Sequence, residues 1–175
     1  MTALKYFNSI CILIVCSILL GALYFQFGLH EDPCPLCLLQ RMGMIGVIFG
    51  LSLNVIFGFD AKHFAVVLVA ALVGMVFSVR QVLLHICPVP GDTGYGTPVF
   101  GMHLYTWGVL IFIASILGSS IFLFFNDRFP AKETHTIEKF EKYVVAFATI
   151  LIFVNFVATI FECQLGPCCE NGPCL

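Results

Sequence analysis

The sharpest chemical signal in the chain is Pro33-Cys34-Pro35-Leu36-Cys37, two cysteines separated by two residues. Such a pair can close a small disulfide ring, or it can bind a metal. Pro35 has no backbone N–H to donate and suits the first turn of a helix, which puts Cys37 near a helix N-terminus. Free N–H groups and the helix dipole there stabilise a thiolate, the nucleophile of disulfide exchange. A soft nucleophile at a bilayer surface is well placed to meet a lipid-soluble oxidant. Arg41 follows four residues later, on the same helix face and one turn deeper. Its guanidinium can stabilise a Cys37 thiolate or charge developing on an acceptor. The plainer reading has it anchoring the helix to lipid headgroups. Zinc takes about four ligands, and no second compact pair of the right kind is evident, so no metal site is assigned. A cysteine-rich tail keeps metal binding open as an alternative.

The elements that position these residues are apolar helices. The chain has 175 residues, of which 60% are hydrophobic and 10% charged, against about 25% charged in ordinary soluble domains. The apolar residues fall in long blocks with the charges between them, as the bilayer demands. Five blocks are long enough to span, at about 7–29, 36–59, 63–86, 104–125 and 143–161. The first does not read as a cleaved signal peptide, since Gln26 and Phe27 follow it where small residues are required. The expected fold is all-α, a polytopic membrane helical bundle in one integral membrane domain over 1–175. With a net charge of -2 and no basic stripe, the chain shows no nucleic-acid surface.

Lys5, Lys62, Arg128, Lys132, Lys139 and Lys142 fall in alternate connections, which five spans put on one side. The positive-inside rule makes that side cytoplasmic. The outer segments are then 30–35, 87–103 and 162–175. Cys34, Cys37, Cys87, Cys163, Cys168, Cys169 and Cys174 all reach the outer side or its boundary, where an oxidising compartment permits disulfides. Cys11 and Cys16 lie inside the first span and read as small packing residues. Gly43, Gly46 and Gly50 allow close approach of a neighbouring helix, and Asn54 can join helices by a hydrogen bond.

The segment Asp32-Pro-Cys-Pro-Leu-Cys-Leu-Leu-Gln-Arg-Met-Gly43 resembles the quinone-coupled disulfide bond formation protein B family of bacterial inner membranes. Ser78-Val-Arg80-Gln81 and Gly101-Met-His-Leu-Tyr-Thr-Trp107 extend the resemblance over most of 1–125. It implies a four-helix core and a catalyst with two disulfides. A periplasmic thioredoxin-fold thiol oxidase gives electrons to the second outer loop. They pass to the Cys-x-x-Cys pair and then to ubiquinone or menaquinone. Cys34 and Cys37 resemble the quinone-proximal pair, with Cys37 facing the quinone and Cys34 exchanging with the second pair. Arg41 resembles the family arginine beside the quinone headgroup. Cys87 resembles the cysteine that forms a mixed disulfide with the partner. The family pattern has both cysteines of the second pair in one loop, yet residues 87–103 hold only Cys87. A fifth transmembrane helix would bring Cys163 or Cys168 to the same side as its partner, and the sequence does not choose between them.

Arg80, Gln81 and His85 stand near the outer end of the third span and are candidates for the quinone pocket. Arg80 can instead snorkel, and His85 reads equally as an ordinary interfacial histidine. His103, Tyr105 and Trp107 suit an interfacial belt. Glu162 reads as a solvated end residue. Two other functions compete with the oxidoreductase: a structural membrane protein braced by outer disulfides, and a metal-binding or metal-transporting protein using the tail cysteines. A vitamin-K-epoxide-reductase-like enzyme would place Cys-x-x-Cys late in the bundle, whereas here it follows the first span.

Overall fold

The computed structural model describes residues 2–86, 96–125 and 137–163, together with two short strands, Cys168–Cys169 and Gly172–Pro173. Its helices are α1 (Thr2–Leu23), α2 (Pro35–Phe57), α3 (Ala61–Leu84), α4 (Leu104–Phe124) and α5 (Lys139–Cys163). Among the described residues these five are long and apolar enough to cross a membrane, with α1 continuing through a π-helical turn at Tyr24–Gly28. The chain is thus a multi-pass membrane protein with an all-α bundle. The two-residue strands β1 (Cys168–Cys169) and β2 (Gly172–Pro173) form a small antiparallel ladder near the end of α5. Several helices run a few residues into their polar flanks, because backbone hydrogen bonding does not stop at the hydrocarbon boundary.

Local chemistry sets the helix ends. Cys34 caps α2 from an extended conformation, its sulfur accepting the Cys37 N–H at 3.1 Å, with Pro35 in the first turn. α2 stops at Gly58, whose φ of 87° is strained for a residue with a Cβ. Asp60 caps α3 by accepting the Lys62 N–H at 2.9 Å.

α2 is the central helix: 56% of its span is buried within the bundle, against 22% to 33% for the others. Its glycine face meets α3. A Cβ on Gly43 would stand 2.7 Å from the Gly74 Cα, and one on Gly46 2.7 Å from the Ala70 Cβ. Lipid tails are as apolar as leucine, so this close packing supplies association energy that hydrophobicity cannot. Phe112 of α4 fills the space over Gly74. Asn54 joins three helices: its Nδ2 donates to Asn8 Oδ1 of α1 at 3.4 Å, and its Oδ1 meets His63 Nδ1 of α3 at 3.2 Å. α5 packs chiefly on α1 and to a lesser extent on α2. Cys11 and Cys16 carry free thiols, and Cys16 is wholly buried in the core with Ile12, Leu19 and Ile48. Phe124, Phe153 and Phe161 are exposed on the bundle's outside, as lipid-facing side chains should be.

α1 and α4 face one another across a gap instead of packing together. A cavity of about 270 Å³ fills the Asn8 end of this seam, walled by Phe7, Cys11, Val15, Leu51, Ile111 and Phe122. A smaller one, about 70 Å³, occupies the Cys34 end.

Candidate functional site

Cys34 and Cys37 both carry free thiols at the start of α2. Gln81, buried on α3, reaches across to them. Its Nε2 stands 3.2 Å from Cys34 Sγ and 3.4 Å from Cys37 Sγ. Its Oε1 accepts from Gln40 Nε2 at 2.5 Å and lies 3.7 Å from Cys37 Sγ. With Gln40 Nε2 turned toward it, Gln81 gives its oxygen to Gln40 and its N–H groups to the sulfurs. The hydrogen bond between the Cys34 and Cys37 side chains, followed by burial and the charge of Cys37, raises the Cys34 pKa well above the usual thiol range. Cys34 therefore holds a proton. Negative charge is better placed on Cys37, inside the first turn of α2 and one turn from Arg41.

Arg41 does not snorkel to the surface. It is half-buried, and its Nη1 donates to Gln26 Oε1 at 2.6 Å while its Nη2 donates to the Ala22 carbonyl at 3.1 Å. Gln26 is the buried residue of the π-helical turn. The wider turn re-registers the end of α1 and aims this one side chain inward, a common use of π turns at functional sites. Gln26 Nε2 in turn donates to Glu162 Oε2 of α5 at 3.0 Å. Cys37, Gln40 and Arg41 share the smaller cavity with Ile18, Phe25 and Tyr105. Glu31 lines it too, and accepts from both the backbone N–H (3.3 Å) and the hydroxyl of Thr97. That contact fastens the segment before Cys34 to the segment leading into α4.

The other sequence candidates fall as follows. Arg80 is exposed and lines neither cavity. His85 sits at the end of α3, its Nδ1 2.9 Å from the Gln81 carbonyl. Its ring stacks on Tyr105, which stacks on His103, with centroids 5.3 and 5.2 Å apart. Among the described residues, His85 reaches the cavity through Tyr105. Trp107 donates to the Val99 carbonyl at 3.0 Å. Cys87 lies outside the described residues. Cys163 ends α5 and is disulfide-bonded, and its partner is none of the free thiols Cys11, Cys16, Cys34 and Cys37. The backbone of Cys168 lies in β1, and its side chain is outside the description. Three residues of this constellation have no site role in the sequence reading: Gln26 figures there only as closing the first span, Gln40 only within the Asp32–Gly43 motif, and Glu162 as a solvated end residue, whereas the structure half-buries Glu162 against Gln26. Gln26 carried a signal, a lone amide at the end of an apolar run.

Fold and site together define a multi-pass membrane protein with a helix-capping Cys-x-x-Cys pair beside a cavity inside the bundle. The chain belongs to the family described as Disulfide bond formation protein DsbB, whose model matches residues 5–94, just over half of it. That match stops short of Gly101–Trp107, which also carried the resemblance. Among curated relatives, Disulfide bond formation protein B of Idiomarina loihiensis is 40% identical over 81 residues, 46% of this chain and 42% of that protein. Disulfide bond formation protein B 1 of Pseudomonas fluorescens is 34% identical over 94 residues, 53% of this chain and 44% of its own. The counterpart in Burkholderia pseudomallei is 55% identical over a 29-residue stretch, 17% of either chain. The chain thus spans less than half the length of the curated relatives it matches. No solved structure matches it at a significant level.

Proposed function

We propose that the chain is a quinone-dependent protein-disulfide oxidoreductase. It reoxidises a periplasmic thioredoxin-fold thiol oxidase, passes the electrons to ubiquinone or menaquinone, and so supports disulfide formation in exported proteins. The observation that carries this reading is that Cys37 and Arg41 line one cavity, while Gln81 donates to the sulfurs of both Cys37 and Cys34.

The cavity suits a quinone headgroup. Ile18, Phe25, Met44 and Leu104 give apolar walls, while Arg41 and Gln40 give donors for ring oxygens. The larger apolar cavity follows the same α1–α4 seam and suits an isoprenoid chain. A bound quinone supplies an acceptor for two electrons and two protons. Strongly oxidising thiol oxidases stand near about -120 mV, beyond what glutathione-poised compartments at roughly -180 mV or lower can regenerate. A stronger oxidant is needed, and a membrane quinone meets that need.

Each residue then has a part. Cys37 presents its sulfur to the cavity from the first turn of α2. Gln81 donates to both sulfurs and keeps the pair together. Cys34, which holds its proton, faces exchange with a second disulfide. Arg41 opposes negative charge arising at the headgroup. Cys87, with Cys163 or Cys168, forms the second pair and meets the partner. Two thiols of the partner become one disulfide, and the two electrons and two protons leave through Cys34 and Cys37. The bonded state of Cys163 supports a second disulfide at the Cys34 end of the bundle, because the neighbouring Glu162 already reaches Gln26 there. Lys5, Lys62, Lys139 and Lys142 belong to the opposite end, which supports a bacterial inner-membrane orientation with the Cys34 end periplasmic.

The test is quinone reduction in lipid nanodiscs, with a reduced thioredoxin-fold oxidase as donor and soluble analogues of both quinone types. Wild-type turnover that disappears in Cys37→Ser and in Cys87→Ser is the expected result. Turnover persisting in Cys87→Ser would move the partner-facing role to the tail. No wild-type turnover with either quinone would refute the assignment.

A further inference from the structure

We infer that Glu162, on the fifth helix, is a positioning residue of the redox site: through Gln26 it sets the orientation of Arg41. The inference rests on the proposed quinone reading for its kinetic consequence, but not for its geometry.

A guanidinium has only donors and a carboxylate only acceptors. Gln26 stands between the two, taking Arg41 Nη1 on its oxygen at 2.6 Å and giving its nitrogen to Glu162 at 3.0 Å. Neither end tolerates a flipped amide. A flip would set N–H against the guanidinium and oxygen against the carboxylate. Glu162 therefore fixes the face that Gln26 shows to Arg41, and Gln26 with the Ala22 carbonyl fixes the guanidinium plane. The guanidinium so fixed lines the cavity shared with Cys37 and Gln40.

Placement supports the same conclusion. Gln26 is buried, and it is the residue that the π-helical turn directs inward. Glu162 is half-buried and precedes the disulfide-bonded Cys163 at the end of α5. At the other end of α5 the Tyr6 hydroxyl donates to Glu138 at 3.1 Å. The fifth helix is thus tied to α1 at both ends. A charged arginine at this depth is otherwise unfavourable, and the distant carboxylate makes the three-residue unit neutral overall.

The experiment uses the full chain in nanodiscs with Glu162→Lys, Glu162→Gln, Gln26→Met and the double variant Glu162→Lys/Gln26→Met. A lysine at a membrane boundary is tolerated, but it donates where Glu162 accepts, and so turns the Gln26 amide round. Two quantities are read. One is the quinone KM against kcat. The other is the alkylation rate of Cys37 in quinone-free, reduced protein at fixed pH, followed by mass spectrometry, which needs no turnover. We expect Glu162→Lys and Gln26→Met each to raise KM about tenfold, the scale of one charge-assisted hydrogen bond, with kcat changed less. Each should slow Cys37 alkylation about threefold, since the Arg41 charge is no longer held in place one turn from the sulfur. The double variant should be no worse than either single one, because both break one chain of contacts. Glu162→Gln keeps an acceptor at the same reach and should recover most of the loss.

Unchanged KM and alkylation in Glu162→Lys would overturn the inference, as would additive losses in the double variant or a Glu162→Gln no better than Glu162→Lys. If a variant fails to fold, Gln26→Met tests the same chain from its other end. If the wild type reduces no quinone, the functional reading fails, while slowed alkylation in the variants still upholds the link from Glu162 to Arg41.

Discussion

Replacing Gln81 by leucine should make the Cys34–Cys37 pair more reducing and its nucleophile less reactive. The side chain is 1% exposed and contacts both sulfurs, at 3.2 and 3.4 Å. N–H donors of this kind stabilise a thiolate far more than a disulfide, whose sulfurs are weak acceptors. Hydrogen bonds to charged groups contribute about 1.5–3 kcal/mol, and sulfur belongs at the low end. A loss of about 1.4 kcal/mol lowers the thiolate population roughly tenfold and shifts a two-electron couple by about 30 mV. We therefore expect the potential of Gln81→Leu to fall by about that amount, and Cys37 alkylation to slow about tenfold. Leucine also leaves buried Gln40 Nε2 without its acceptor, which destabilises the fold by about 1–3 kcal/mol. Gln81→Leu/Gln40→Leu separates the two effects: stability should recover while the potential stays low. The assay is equilibration of the pair against a dithiol buffer, quantified by trapping free thiols. A Gln81→Leu potential within 5–10 mV of the wild type, roughly a quarter of the expected shift, would refute the argument that Gln81 stabilises the reduced pair.

Other perturbations test separate parts of the structure. Arg41→Lys should raise the quinone KM about tenfold in steady-state assays, because an ammonium lacks the fork that bonds Gln26 and Ala22 together. Gly74→Ala puts a Cβ 2.2 Å from Phe112 Cζ and should destabilise the bundle by about 1–3 kcal/mol in detergent denaturation. Gly74→Ala/Phe112→Leu should recover part of that loss. For the reduced protein, the Cys34 pKa is raised in the fold from its ordinary 9.0. Stability from protonated Cys34 is thus complete below that value and declines as pH rises beyond it, where the unfolded thiol ionises first. Thermal melts should show this decline above about pH 9 in the wild type and a smaller one in Cys34→Ala.

The sequence made some of these features legible because they depend on composition or on short-range geometry. Hydrophobic length exposed the five helices. Pro35 and the two-residue spacing placed Cys34 and Cys37 at the start of α2. The glycines of α2 announced a close helix contact, which the structure places on α3. Gln81 was legible only as a polar residue near the right end of α3. That its amide serves the sulfurs is a fact about how α2 and α3 pack, and no periodicity encodes it. Arg80 next to it points outward because adjacent helical residues lie about 100° apart, and sequence alone gives no origin for that rotation. Glu162 was harder still. A carboxylate at the end of an apolar run looks solvated until the π-helical turn of α1 brings Gln26 to it, and a π turn leaves no reliable mark in the residues that form it.

Two glutamines at the Cys34 end bridge helices through their amides. Gln26 sits between a guanidinium that only donates and a carboxylate that only accepts, so its amide has one permitted orientation, while Gln81 lies between the Gln40 amide and the two sulfurs. Gln81 takes Gln40 on its oxygen and gives its nitrogen to the two sulfurs. Gln26 takes Arg41 on its oxygen and gives its nitrogen to Glu162. A charged residue in either place would carry a large desolvation penalty inside the bundle, and a serine or threonine is too short to span the helices. An amide is uncharged, two-faced and long enough to reach from one helix to the next. It can therefore fix geometry without fixing charge, leaving the redox-linked charge on Cys37 and its compensation on Arg41. The first unit joins α3 to α2, and the second joins α5 to α2 through α1. Displacing either amide should disturb the same sulfur from opposite sides: loss of Gln81 through its direct hydrogen bond, loss of Gln26 through the arginine field. Combining Gln81→Leu with Gln26→Met should accordingly give additive losses in Cys37 alkylation, unlike the pair Glu162 and Gln26, whose contributions run through one contact.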